Sequence, residues 1–189
     1  MKIKVLFSAA LLSVILLGCS TTSTVYFVNM DQGKRMLKEN HFQEALEHFT
    51  LAVETSPDAD AYSYAAIAAF KIGDLDHATQ DLREAEKRDG RSFANLRIVG
   101  YKALIALKPG TTKAGLDALH DYIEVYRYSE PLMNIKDVEN MWRSEKIDFP
   151  VLEKLMDEQI TTYDNEIEDY LKNRSGWYEE KYESFILDN

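Results

Sequence analysis

Hydrophobic and polar positions alternate along most of the chain with the period of an amphipathic α-helix. Apolar residues recur at intervals of three and four, and short polar or glycine-containing turns separate the runs. The pattern predicts an all-α fold in which consecutive helices form pairs. The predicted helices span 26–38, 42–55, 59–71, 75–88, 92–107 and 112–127.

Two segments of the chain show the same pattern at a period of 33 residues, which is typical of helical repeats. Each segment has three small residues, the second 12 positions after the first and the third seven positions later. They are Gly33, Ala45 and Ala52 in the first segment, and Ala66, Ala78 and Ala85 in the second. A third, degenerate segment follows at a period of 34, with Gly100, Leu116 and Leu119. The alternative is a helical bundle in which these small residues coincide by accident.

Turn chemistry supports the predicted helix boundaries. Gly73 suits the end of one helix, and Asp74 suits the N-cap of the next. The tetrapeptide Lys108-Pro109-Gly110-Thr111 is expected to end the fifth helix and to cap the sixth.

This arrangement resembles the tetratricopeptide repeat, in which small residues lie where the two helices of a pair touch. Pro57 matches the proline that closes a repeat, and Gly90 stands in its place in the second segment. Both segments lack the Trp-Leu start of the family. The resemblance implies an α-solenoid of about three helix pairs over residues 26–128, with a groove lined by the first helix of each pair.

Side chains for this groove are predicted from the residue types that protein interfaces favour. Tyrosine and arginine are enriched at interface centres. The predicted first helices carry Tyr62, Asn95 and Arg97, which we expect to line the groove and to bind a peptide or a partner helix.

The last third of the chain, residues 129–189, is predicted to form capping helices. Helix starts are expected at Ser129-Glu130-Pro131 and at Asp148-Phe149-Pro150, and Ser175-Gly176 is expected to end the second helix. Its apolar positions are Leu152, Met156, Ile160, Tyr163, Ile167, Tyr170 and Leu171. The aromatic tail from Trp177 either closes the core or docks another envelope protein or a second copy of the chain.

The beginning of the chain has the pattern of an export signal. Lys2 and Lys4 precede an apolar run at residues 5–17, which at 13 residues is too short for a bilayer span. Leu16-Leu17-Gly18-Cys19 resembles the lipobox of bacterial lipoproteins. The resemblance implies a signal peptide at 1–18, a lipidated Cys19 and a tether at 19–25. An ordinary secretory signal with a chance cysteine is the alternative.

Residue 20 adds an expectation about localisation. In Gram-negative lipoproteins an acidic residue after the lipidated cysteine retains the protein in the inner membrane, and this chain has Ser20. The resemblance therefore implies a lipid anchor in the bacterial outer membrane, facing the periplasm.

Composition narrows the class of partner. The chain has a formal charge of −10, and removal of residues 1–18 takes away two lysines, leaving 171 residues with a charge of −12. Such a chain should be repelled by nucleic acid and by anionic lipid headgroups. Cys19 is the single cysteine, so the fold contains no disulfide bond within the chain.

The titratable residues do not form a recognisable catalytic set. The histidines at 41, 48, 77 and 120 have no metal-ligand spacing, and the acidic residues follow helix faces. No cofactor or metal is expected. The sequence predicts a non-enzymatic adaptor or assembly factor that binds other envelope proteins. The alternative is an accessory subunit of a machinery that processes surface polysaccharide or murein.

Overall fold

The fold was analysed in a computed structural model, which describes residues 23–89, 94–128 and 135–173. Every regular element in these ranges is an α-helix, so the predicted all-α class is confirmed. The helices are α1 at 23–38, α2 at Phe42–Thr55, α3 at Ala59–Ile72, α4 at Leu75–Arg88, α5 at Asn95–Leu107, α6 at Lys113–Tyr128, α7 at Lys136–Ser144 and α8 at Phe149–Asn173.

The helices divide into two compact units, and the boundary follows residue 90. In unit 1, the contacts run from α2 to α3 and from α3 to α4, as in an α-solenoid, and α1 contacts α2. In unit 2, α6 and α8 both pack against α5, and α7 contacts α6 and α8. The boundary thus falls inside the segment 26–128 that the sequence assigned to repeats.

Residues with special backbone preferences end the helices of unit 1. Asn40 and Gly73 adopt left-handed conformations, with φ of 62° and 96°, after α1 and α3. Asp58 Oδ1 accepts a hydrogen bond from the Ala61 amide at 2.8 Å, and Asp74 Oδ1 accepts one from the His77 amide at 3.1 Å. The predicted roles of Gly73 and Asp74 as caps are confirmed.

Small residues lie where the helices of unit 1 touch, as the repeat pattern predicted. A Cβ atom added to Gly33 would lie 2.6 Å from the ring atom Cε1 of Phe49, so only glycine permits this approach of α1 to α2. The alanines at the other predicted positions have no exposed surface: Ala45, Ala52, Ala66, Ala78 and Ala85.

The first helix of the second pair, α3, is enclosed on most sides. Ten of its 14 residues are buried, and it packs against both α2 and α4. Its sequence, ADAYSYAAIAAFKI, is apolar around most of the helix, which is typical of a central helix. Consequently α3 offers little of the open surface that the groove prediction requires.

The start of α8 and its buried stripe were both predicted correctly. Asp148 directly precedes the first residue of α8, Phe149, and its Oδ1 accepts a hydrogen bond from the Val151 amide at 3.3 Å. The predicted stripe is buried at Leu152, Met156, Ile160, Ile167 and Tyr170. The predicted starts and stops at 129–131 and 175–176, and the aromatic tail, lie outside the described residues.

Two smaller boundaries differ from the predictions. The cap of α6 is Thr112, whose Oγ1 accepts a hydrogen bond from the Gly115 amide at 3.1 Å, in place of Thr111. At the other end of the chain, α1 is already helical at residue 23, so residues 23–25 of the predicted tether are part of the helix. None of the helices within the described ranges is both long and apolar enough to cross a membrane.

Candidate functional site

The three residues predicted to line a groove fall in both units. Tyr62 lies on α3 in unit 1, and it is half-buried. The guanidinium carbon of Arg88 lies 4.7 Å from the centre of its ring, so one ring face is covered by a cation–π contact from α4. Asn95 is the half-buried first residue of α5 in unit 2.

Arg97 is buried, which corrects its assignment to an open groove. Its surface is 4% exposed, and its Nη1 atom lies 2.5 Å from Oδ1 of Asp164 on α8. A buried guanidinium requires a carboxylate partner, and α8 supplies it from a segment that the sequence analysis treated as a separate cap. The side chain of Arg97 is therefore used within unit 2.

Arg97 belongs to a row of polar contacts between α5 and α8, which we call the α5–α8 seam. The Tyr101 hydroxyl donates a hydrogen bond to Oδ1 of Asp157 at 2.5 Å. At the far end of α5, Lys108 Nζ lies 3.8 Å from Oε2 of Glu153. Donor positions rise along α5 while acceptor positions fall along α8, so the two helices run antiparallel.

Burial keeps two tyrosine hydroxyls that bond to α8 protonated, one on α5 and one on α6. Burial, together with the neighbouring Asp157 carboxylate, raises the pKa of Tyr101 well above its ordinary value. Burial likewise raises the pKa of Tyr122, whose hydroxyl donates to Oε1 of Gln159 on α8 at 2.7 Å. These contacts fix the register of α8 on its neighbours, because a slip of one turn would leave buried polar groups unpaired.

A second polar cluster lies on α4 in unit 1. Asp81 is 7% exposed and shares the packing face of Ala78 and Leu82. Its Oδ2 atom lies 3.4 Å from Nε2 of His77 and, in the part of the chain that the structure describes, has no hydrogen-bond partner. Burial raises the pKa of Asp81 to about 6, with further contributions from the Asp74 and Glu84 carboxylates and an opposing one from His77.

Each of the other histidines contacts a nearby side chain, in two cases on another helix. His48 Nδ1 lies 3.0 Å from Oδ1 of Asn29, which joins α2 to α1. The His120 ring stacks on Trp142, with 4.7 Å between ring centres. His41 Nδ1 lies 3.9 Å from a carboxylate oxygen of Glu39. Over the described ranges, the acidic residues and histidines form no group of three or more that could hold a metal ion.

Exposed large apolar residues concentrate at one end of unit 1, in a set we call the N-terminal apolar surface. On α1, Phe27 is 66% exposed, Val28 53% and Val25 47%. Leu51 on α2 is 47% exposed and lies one turn beyond His48, the residue that contacts Asn29. Among the described residues, the other exposed large apolar side chains are Ile72 and Val151.

The sequence analysis missed the N-terminal apolar surface because it assigned residue 25 to a tether and began the helix at 26. The signal was present in the run Val25-Tyr26-Phe27-Val28, which has more apolar residues than one packing face of a helix requires. Comparisons of the chain with models of known protein families, with curated proteins and with solved structures give no match.

Proposed function

We propose that the chain is a lipid-anchored, non-enzymatic adaptor or assembly factor of the bacterial envelope, attached through Cys19 and binding other envelope proteins. The lipobox-like Leu16-Leu17-Gly18-Cys19 supports the anchor. The proposed relationship to tetratricopeptide repeats supports protein binding, since helix pairs of that family present extended surfaces to peptides and helices.

The observation that carries the proposal is the way in which the two units use their polar residues. Arg97 and Tyr101 are buried, and both meet carboxylates of α8 in contacts that hold helices together. The remaining charges lie mostly in exposed pairs on single helices, such as Lys87 with Glu84 at 2.6 Å. Such an arrangement is typical of a scaffold that presents surface.

Two of the predicted groove residues remain candidates for the partner contact. Tyr62 and Asn95 are half-buried, and each lies near the amino end of its helix. Arg97 is buried, so we leave it out of the proposal. A tyrosine with one ring face covered by Arg88 still offers its edge and its hydroxyl to a partner.

Site-specific photocrosslinking in the native envelope tests the proposal. A benzophenone side chain is introduced at Tyr62, at Asn95 and, as a control, at Lys146, an exposed residue between α7 and α8. We expect one defined protein, identified by mass spectrometry, to crosslink at position 62 or 95 and not at 146. Absence of a discrete product at 62 and 95, together with hydrolysis of murein by the purified chain, would contradict the adaptor proposal.

The alternative function, in a polysaccharide or murein machinery, gains no specific support from the described tryptophan. A sugar-binding tryptophan offers an open ring face, but the Trp142 ring is half-buried and stacks on His120 at an interplanar angle of 22°. We therefore keep the protein-binding adaptor as the proposed function.

A further inference from the structure

We infer that the outward face of α1 contacts the surface of the lipid bilayer, with the N-terminal apolar surface inserted at the boundary between headgroups and acyl chains. This inference rests on the proposed lipid anchor at Cys19. It adds a second, non-covalent attachment, and it assigns to the membrane a part of unit 1 that would otherwise be free to bind a protein partner.

The exposed apolar residues of α1 point to an apolar environment. In an α-helix successive residues are rotated by about 100°. Gly33 and Met30 lie on the buried side of α1, Val28 lies on the opposite side, and Val25 and Phe27 lie on the two flanks between them. Three large apolar side chains within two turns, each about half exposed or more, expose apolar surface to water at a cost in free energy that insertion into a membrane interface removes.

The distance along the chain favours the membrane over a distant partner. Three residues lie between Cys19 and residue 23, the first described residue of α1, so four Cα-to-Cα steps join the two. Fully extended, they reach at most about 14 Å. Phe27 lies one helical turn further, about 6 Å along the axis. A lipidated Cys19 therefore holds Phe27 within about 20 Å of the bilayer surface, whatever path residues 20–22 take.

The charge of α1 is complementary to anionic headgroups, in contrast to the rest of unit 1. Residues 23–38 contain three basic residues and one acidic residue, whereas α2 contains three glutamates and neither lysine nor arginine. Arg35 follows Val28 by seven positions and Lys38 follows Phe27 by eleven, so each lies on the same side of the helix as that apolar residue. Both basic side chains are exposed.

The apolar turns come first along α1 and the basic residues follow, which suits a helix that enters the interface by its amino end. From Phe27 to Arg35 the helix rises about 12 Å, so an α1 that is inclined to the bilayer plane crosses a headgroup region about 5–8 Å deep over this length. Val25 and Phe27 then reach the acyl boundary while Arg35 and Lys38 stay at the level of the phosphates.

A pair of tryptophan variants tests this inference. The full chain, purified from bacterial membranes, is reconstituted into vesicles of phosphatidylethanolamine and phosphatidylglycerol with bromine on the acyl chains. The Phe27→Trp variant reports on α1. The Ile72→Trp variant is the matched control, because Ile72 is 41% exposed and ends α3, which runs parallel to α1, at the opposite end of unit 1. The unsubstituted chain gives the contribution of the two native tryptophans.

We expect bromine to reduce the fluorescence of the added tryptophan in F27W about twofold, after the contribution of the native tryptophans is subtracted. A side chain inserted at the interface lies within reach of the acyl chains. Bromine should not reduce the fluorescence that the added tryptophan of I72W contributes beyond the two native tryptophans. Equal quenching of the two variants would overturn the inference. A blue shift of the F27W emission without bromine quenching would also overturn it, since it would show that a second copy of the chain or another protein covers α1.

The Cys19→Ser variant separates this inference from the proposed function. The quenching of F27W is measured in a chain that keeps Cys19. If the Cys19→Ser variant leaves the membrane fraction and F27W is not quenched, the anchor is supported and the α1 contact is refuted. If it stays in the membrane fraction and F27W is quenched, the lipid anchor is refuted and the α1 contact stands. If it stays and F27W is not quenched, both are refuted.

Discussion

Ala45 and Ala78 are fully buried at the start of the second helix of each pair in unit 1. Replacement of either by leucine adds three carbon atoms to a contact that has no free surface. We expect each change to lower the free energy of unfolding by about 1–3 kcal/mol through overpacking. Urea unfolding followed by circular dichroism measures the change.

The matched control for these two changes is Ala114→Leu. Ala114 is exposed near the start of α6, so a larger side chain there meets water instead of a neighbouring helix. Its effect should be within about 0.5 kcal/mol of zero. If A45L and A78L unfold at the same urea concentration as A114L, the helix contacts described at these alanines are wrong.

Asp81 makes the stability of unit 1 depend on pH. Burial raises its pKa in the folded chain to about 6, so the folded state holds the proton more tightly than the unfolded state. The associated stability is fully present below about pH 4 and is lost as the pH rises toward 6. We therefore expect Asp81→Asn to raise the free energy of unfolding by about 1–3 kcal/mol at pH 7. At pH 4 the substitution should leave the free energy of unfolding almost unchanged.

Thermal unfolding at several pH values between 4 and 7 measures this difference. Asp76→Asn serves as the control, because Asp76 is exposed in the first turn of the same helix. The thermal stability of the Asp76→Asn variant should vary with pH as that of the unsubstituted chain does. An Asp81→Asn variant that loses stability from pH 4 to pH 7 as steeply as the native chain would refute the role of burial at Asp81.

The α5–α8 seam joins two helices of unit 2, and the Arg97–Asp164 pair is a largely buried ion pair within it. Removal of one partner leaves an uncompensated buried charge. We expect Asp164→Ala to lower the free energy of unfolding by about 3–5 kcal/mol. The double variant R97M/D164L replaces both charges by apolar side chains and should lose less stability than D164A alone.

The exposed pair of Lys113 and Asp117 provides the comparison for this cycle. Its atoms lie 3.0 Å apart, but the side chains are 89% and 66% exposed, so water screens the interaction. Asp117→Ala should lower the stability by no more than about 0.5 kcal/mol. A D164A variant as stable as D117A would show that the seam does not hold α8 against α5.

Apart from the start of α1, the bounds of the helices in unit 1 follow closely from the sequence because local residues determine them. Asn40, Asp58, Gly73 and Asp74 each end or begin a helix through their own backbone conformation or a hydrogen bond within three or four residues. Periodicity then locates the buried face of each helix, and the buried alanines follow from it.

The contact of α5 with α8 does not follow from the sequence. Arg97 and Asp164 are 67 positions apart, and periodicity carries no information about which distant helices meet. Arginine is mostly exposed in proteins, which agreed with the prediction that Arg97 lines a groove, and Asp164 lies in a helix with many acidic residues, where nothing in the sequence distinguishes it. For the same reason the predicted groove included a residue that turned out to be buried.

At the scale of the whole molecule, the proposed anchor and the basic α1 both place the amino-terminal end of unit 1 at a membrane. We expect Cys19→Ser to leave both units folded, with an unchanged circular dichroism spectrum, while the protein leaves the membrane fraction. One non-covalent helix contact is weaker than attachment by two or more acyl chains, so α1 alone should not retain it. Fractionation and immunoblotting measure the loss.

The most direct test of the account is the mass of the amino-terminal peptide of the protein isolated from bacterial membranes. The account predicts that the chain begins at Cys19 and that this residue carries the additional mass of a diacylglycerol, with or without an acyl group on its nitrogen. A chain that begins at another residue, or a Cys19 with a free thiol, would contradict the lipid anchor on which the proposed function and the membrane contact of α1 both depend.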